Sequence, residues 1–132
     1  MILFNECPVS WATSRQKSVA LSTSEAETYA MTTCLKETIY LDELVSFLLG
    51  SQKDTERSRT CIYTDNNQVL SCIKDGATSR TKHYSVKWAF IKSQTSRFYI
   101  KRISTNDNIA DLMTKGLSGT RTETLQSAFH QK

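Results

Sequence analysis

From Ser22 to Gly50 the chain reads as one long helix, and no other stretch limits the available folds so strongly. Ser22 followed three residues later by Glu25 is the pattern in which a hydroxyl and a carboxylate cap a helix start reciprocally. Ala26, Tyr29, Ala30 and Cys34, then Leu41, Leu44, Val45 and Leu48, recur at helical spacing. Gly50 is the natural stop, because glycine accepts the left-handed backbone that closes a helix. A helix over 24–49 would run roughly 39 Å at ~1.5 Å per residue.

Strand signals surround it. Met1 to Thr13 reads as two short strands broken near Asn5-Glu6-Cys7-Pro8, with Pro8 at a turn or sheet edge because it lacks a ladder donor. Thr60 to Thr64 reads as a short buried strand, with Asp65 where that strand gives way to a helix carrying Val69, Cys72 and Ile73 and ending at Gly76. Lys82 to Thr95 reads as a helix with Val86, Ala89 and Phe90 inward, and Phe98 to Ser104 as a strand. Thr105 can cap a last helix with Ile109, Leu112 and Met113 on one face, stopped by Gly116. This order predicts an α/β fold, a mixed sheet flanked by helices. The domain spans 1–117, and 118–132 is a C-terminal tail or short helix.

Three carboxylates stand out on these elements: Glu27 on the long helix, Asp65 at a strand end and Asp111 in the last helix. In open α/β sheets the ligand cleft lies at the carboxyl ends of strands, so Asp65 is the anchor. If Glu27 and Asp111 reach the same cleft, the three make an all-oxygen site. Such a site suits Mg²⁺ or Mn²⁺ better than zinc. Two such ions about 4 Å apart activate water and stabilise a leaving oxygen in phosphodiester hydrolysis. Acids near helix starts more often serve as caps or dipole partners, so spacing alone does not decide the matter.

Between Gly76 and Asn106 there is no acidic residue, yet Arg80, Lys82, Lys87, Lys92, Arg97, Lys101 and Arg102 occur there, interleaved with Tyr84, Trp88, Phe90, Phe98 and Tyr99. Cations with interspersed aromatics suit a nucleic-acid backbone and its bases; the same pattern also describes a solvated basic face over an ordinary core. Cys7, Cys34, Cys61 and Cys72 lack metal-site spacing, and the last three fall in apolar positions as small buried hydrophobes. Free thiols imply a reducing interior, cytoplasmic or nuclear. The apolar start, Met1 to Phe4, is far too short for a signal peptide or membrane span, so no membrane partner is expected.

The wording around the acids resembles the ribonuclease H domain of copia-type (Ty1/copia) retrotransposon Pol polyproteins. Lys17 to Glu27 is similar to that family's helix entry, and Asp65-Asn66-Asn67-Gln68 to its second acidic site. Ser79 to Tyr84, Ile109 to Lys115 and Pro8-Val9-Ser10-Trp11 are three further blocks in the right order. The resemblance runs from about Met1 to Leu117. It implies an RNase H-like fold and divalent-metal hydrolysis of the RNA strand in RNA–DNA hybrids. It also implies Glu27, Asp65 and Asp111 as catalytic metal ligands, with Glu25 as the substitute should the register differ. Arg80, Lys82, His83 and Lys87 would hold the nucleic acid; His83 reads equally well as a packed or capping histidine. The partners implied are the hybrid and the reverse transcriptase portion of the same polyprotein.

Two departures from the family pattern carry expectations of their own. The family's site opens on an aspartate in an upstream Asp-x-Asp-Trp block, whereas Met1 here aligns with the second strand. A first strand and a first ligand would then be missing, which predicts impaired catalysis and self-association or marginal stability through an uncovered sheet edge. In addition, no histidine occurs in Ser104 to Asn108, ahead of Asp111. The competing reading is a non-catalytic nucleic-acid-binding or interaction module derived from a transposon.

Overall fold

The computed structural model describes residues 1–14, 16, 19–50, 59–75 and 84–130. Gly76, the expected end of the second helix, and Arg80, Lys82 and His83, three of the expected nucleic-acid contacts, fall outside the described residues. The chain forms two compact units, Ser18–Arg102 and Met1–Lys17 with Ile103–Lys132.

Within Ser18–Arg102 the long helix α1 spans Thr23–Leu48. Its start follows the sequence pattern: Ser22 Oγ accepts from the Glu25 N–H at 3.1 Å, and the Glu25 carboxylate accepts in turn from the Leu21 N–H at 2.7 Å. Its end is equally legible, since Gly50 takes φ +60° just past the C-cap Leu49.

The buried face of α1 differs from the one its apolar spacing suggests. Ser24, Thr28, Met31, Leu35 and Thr38 face inward, whereas Ala30, Leu44 and Leu48 are exposed. The reason is local. Thr28, Thr32 and Thr38 donate their hydroxyls to the carbonyls of Ser24, Thr28 and Cys34 at 2.7–2.8 Å. A threonine bonded back to its own helix presents mainly its methyl group to the core and buries no unsatisfied polar atom.

Strand β3 (Cys61–Thr64) is followed by α2 (Asn67–Asp75), α3 (Ser85–Ser93) and β4 (Tyr99–Arg102). β3 and β4 pair in parallel, which their helical connection allows, with Ile62 opposite Ile100. Met31, Leu35, Ile62, Val69, Tyr84, Trp88, Ile91 and Phe98 form the core. α3 therefore turns Tyr84, Trp88 and Ile91 inward, not Val86 and Ala89: Val86 is 81% exposed, and of the three expected residues only Phe90 packs against the core. The two large rings at i and i+4 set the orientation, with Tyr84 and Trp88 centroids 6.1 Å apart. Arg97, just before β4, is tied to α1 by Asp42 at 2.7 Å and Glu43 at 3.3 Å. The hydrogen bond to Asp42 raises the guanidinium's already high pKa further.

In the other unit, β1 (Ile2–Phe4) and β2 (Cys7–Ser10) form an antiparallel hairpin. Asn5 and Glu6 both take positive φ, 47° and 65°, as the tightest hairpin turns require. Strand pairs of both senses are thus present, but as two separate two-stranded sheets. The expected helix around Asp111 is instead two short 3₁₀ turns, Thr105–Asp107 and Ile109–Met113. Ser104 and Asn108 each cap a turn through a side-chain oxygen, and two N-caps four residues apart leave no room for a helix between them. Helix α4 (Gly119–His130) follows and buries Leu125.

Candidate functional site

Asp65 lies between the last residue of β3 and the first of α2, where a strand-end acid was expected. Capping of α2 falls to its neighbour: Asn66 Oδ1 accepts from the N–H groups of Gln68 at 2.9 Å and Val69 at 3.3 Å. Thr64 Oγ1 accepts from the Asn66 N–H at 3.2 Å and fixes the turn. Asp65 itself is half-buried.

At the start of α1 the two glutamates have separate settings. Glu25 is buried, and one of its carboxylate oxygens accepts from the Leu21 N–H at the helix start. Glu27, two residues on, lies on an exposed part of the helix. Of the basic candidates, Lys87 is described: its Nζ sits 4.0 Å from the centroid of the Tyr29 ring, a cation–π contact that joins α3 to α1. Arg97 is committed to Asp42 and Glu43 and is not available as a general phosphate contact.

Asp111 belongs to the other unit and has a different setting. Only 3% exposed, it faces Lys115 Nζ at 2.9 Å and Arg121 Nη2 at 3.3 Å, with the Asn108 amide at 3.4 Å. Arg121 also donates to the Thr105 carbonyl, tying α4 to the first 3₁₀ turn. Two cations therefore already balance this carboxylate. A divalent ion would have to displace at least one of them, at the cost of breaking a buried pair.

Among the described residues, no group of three or more His, Cys, Asp or Glu side chains is gathered closely enough to hold a metal ion. Asp111, paired as it is, offers no uncommitted carboxylate to such an ion. Lys115 and Arg121 were missed by sequence reasoning. The i, i+4 spacing of Asp111 and Lys115 was the signal that could have found the first. No helix among the described residues is long and apolar enough to cross a membrane.

Comparison with known proteins adds what the geometry lacks. Over 118 residues, 87% of its length, the chain is 35% identical to the Retrovirus-related Pol polyprotein from transposon TNT 1-94 of Nicotiana tabacum. The chain is a distant homologue of retrotransposon Pol polyproteins. Two further relatives, the Pol polyproteins from transposons RE2 and RE1 of Arabidopsis thaliana, are 32% and 31% identical over 84% and 86% of the chain. The matched stretch is 8% of each of these Pol polyproteins. No protein-family model and no solved structure matches the chain.

Proposed function

We propose that this chain corresponds to the ribonuclease H segment of a copia-type Pol polyprotein, the part that acts on the RNA strand of RNA–DNA hybrids. One observation carries the reading within a Pol homologue: an acid, Asp65, sits at the carboxyl end of a parallel strand, next to the Asn66 that caps the following helix. The order of the acid-bearing blocks along the chain supports it. Glu27 and Asp65 are the residues assigned to the reaction, with Asp111 as the third acid and Mg²⁺ or Mn²⁺ as the metal. The partner is the reverse transcriptase portion of the same polyprotein, and the compartment is cytoplasm or nucleus.

The ion pairs of Asp111 favour a second reading, a module that holds nucleic acid without cutting it. A carboxylate neutralised by Lys115 and Arg121 does structural duty at the position where the enzyme needs a ligand. Cleavage of a labelled RNA–DNA hybrid with Mg²⁺ or Mn²⁺ decides between the two. Cleavage abolished by Asp65→Asn supports the enzyme. Salt-dependent binding of the hybrid without cleavage supports the module. Neither cleavage nor binding overturns both.

A further inference from the structure

The β3–β4 pair has two unlike faces. Ile62 and Thr64 are buried and Ile100 packs against the core, so the alternation of the pleat sends Cys61, Tyr63, Tyr99 and Lys101 to the opposite side. The parallel register sets Tyr63 across from Lys101 and Cys61 across from Tyr99. Tyr63 is 56% exposed and Tyr99 46%, whereas the core Tyr84 is 4% exposed. The guanidinium carbon of Arg59 lies 5.2 Å from the Tyr99 ring centroid, and Lys101 Nζ lies 5.6 Å from it. Neither strand contains an acidic residue.

We propose that this face binds single-stranded nucleic acid. Tyr63 and Tyr99 are the platforms for unpaired bases, and Arg59 and Lys101 meet the phosphates. The charge of the face selects a polyanion, and its aromatic content selects the strandedness. In a duplex each base is already covered by its neighbours, so side chains standing on a flat sheet reach only sugar and phosphate. In a single strand the base faces are open, and stacking on tyrosine is tolerant of sequence. Cations lying over or beside the ring reinforce both contacts. The proposal goes beyond the hydrolytic reading and does not depend on it, because none of these residues is an acid assigned to that reaction.

The test is fluorescence anisotropy of a short labelled oligouridine titrated with the full chain between about 50 and 200 mM salt, with a blunt duplex as competitor. The wild type is expected to bind the oligouridine in preference to the duplex. The double variant Tyr63→Ala, Tyr99→Ala should bind at least about tenfold more weakly, while Tyr63→Phe, Tyr99→Phe keeps most of the affinity because stacking survives. Lys101→Gln, at an exposed position, should reduce the salt slope by about 0.7, the value of one lost single-strand phosphate contact. Circular dichroism establishes that each variant is folded. The proposal is overturned if the folded alanine variant binds as tightly as the wild type, if the phenylalanine variant loses as much as the alanine one, or if duplex competes equally. Sedimentation adds one more overturning result: a wild-type dimer that the alanine variant dissociates, with oligouridine affinity unchanged, would make this face a self-interface. Hybrid cleavage by the same variants is read separately, so failure here leaves the proposed activity untouched.

Discussion

In Ser18–Arg102, eight side chains from α1, β3, α2, α3 and the approach to β4 share one hydrocarbon core, and the acids assigned to function lie outside it. In Met1–Lys17 with Ile103–Lys132, the buried residues among those described are Leu125 and a carboxylate, Asp111, held by Lys115 and Arg121. The contrast shows that acids equivalent in a sequence pattern need not be equivalent physically. Where a hydrocarbon core supplies the cohesion, an acid is left at the periphery. Where it does not, the acid and its cations become the centre of the packing, and withdrawing that acid for another task has a structural cost.

The largest effect should come from the hydrocarbon side. Trp88→Ala removes a core ring and should cost about 3–5 kcal/mol in urea denaturation. Trp88→Phe should cost about 1.5 kcal/mol or less, because the indole N–H it deletes has no hydrogen-bond partner among the described residues. Equal losses for the two would mean that the indole nitrogen matters more than the packed ring. Asp111→Ala comes next, at about 3 kcal/mol, since it leaves Arg121 partly buried with its partner gone. That loss should be accompanied by faster amide exchange in α4. Asp65→Asn, at a half-buried position, should cost about 1 kcal/mol, and a cost matching that of Asp111→Ala would erase the distinction between the two regions.

The smallest expected effect is chemical. Burial, with Asp75 adding to it, pushes the Cys72 thiol up, so alkylation near pH 8 should proceed more slowly at Cys72 than at the exposed Cys7. A raised pKa means the folded state favours the neutral thiol. Its contribution to stability is therefore full below the ordinary thiol range and lost as pH rises through the raised value.

The parts of this fold that could be read in advance are those where one residue does one local job. Ser22 with Glu25 marks the start of α1 and Gly50 its end, while the break expected near Asn5-Glu6-Cys7-Pro8 narrows to the Asn5-Glu6 turn, with Cys7 and Pro8 inside β2. The inward face of α1 was not legible, because Thr28, Thr32 and Thr38 count as polar in any periodicity yet bury as methyl groups once their hydroxyls bond back to the helix. On α3 the choice between the Val86 face and the Trp88 face depends on which rings fill the space beneath, a tertiary question. The turn around Asp111 failed for another reason: Ser104 and Asn108 act as consecutive caps, and cap strength outweighs the apolar spacing of Ile109, Leu112 and Met113. The position of Asp65 was legible from strand propensity alone. The neutralisation of Asp111 was only half so, because Arg121 comes from ten residues away.

The four strands have a consequence for how the protein behaves in a tube. Each has a single hydrogen-bonded neighbour, so among the described residues each keeps one side of its backbone ladder open. Pro8 interrupts β2, and Lys101 with Arg102 puts charge on β4, both of which discourage a second chain from docking there. β1 and β3 carry no such guard. Addition of a further strand at either would be a bimolecular, colloidal process, one that storage concentration and filtration history would expose as experimental variables alongside temperature.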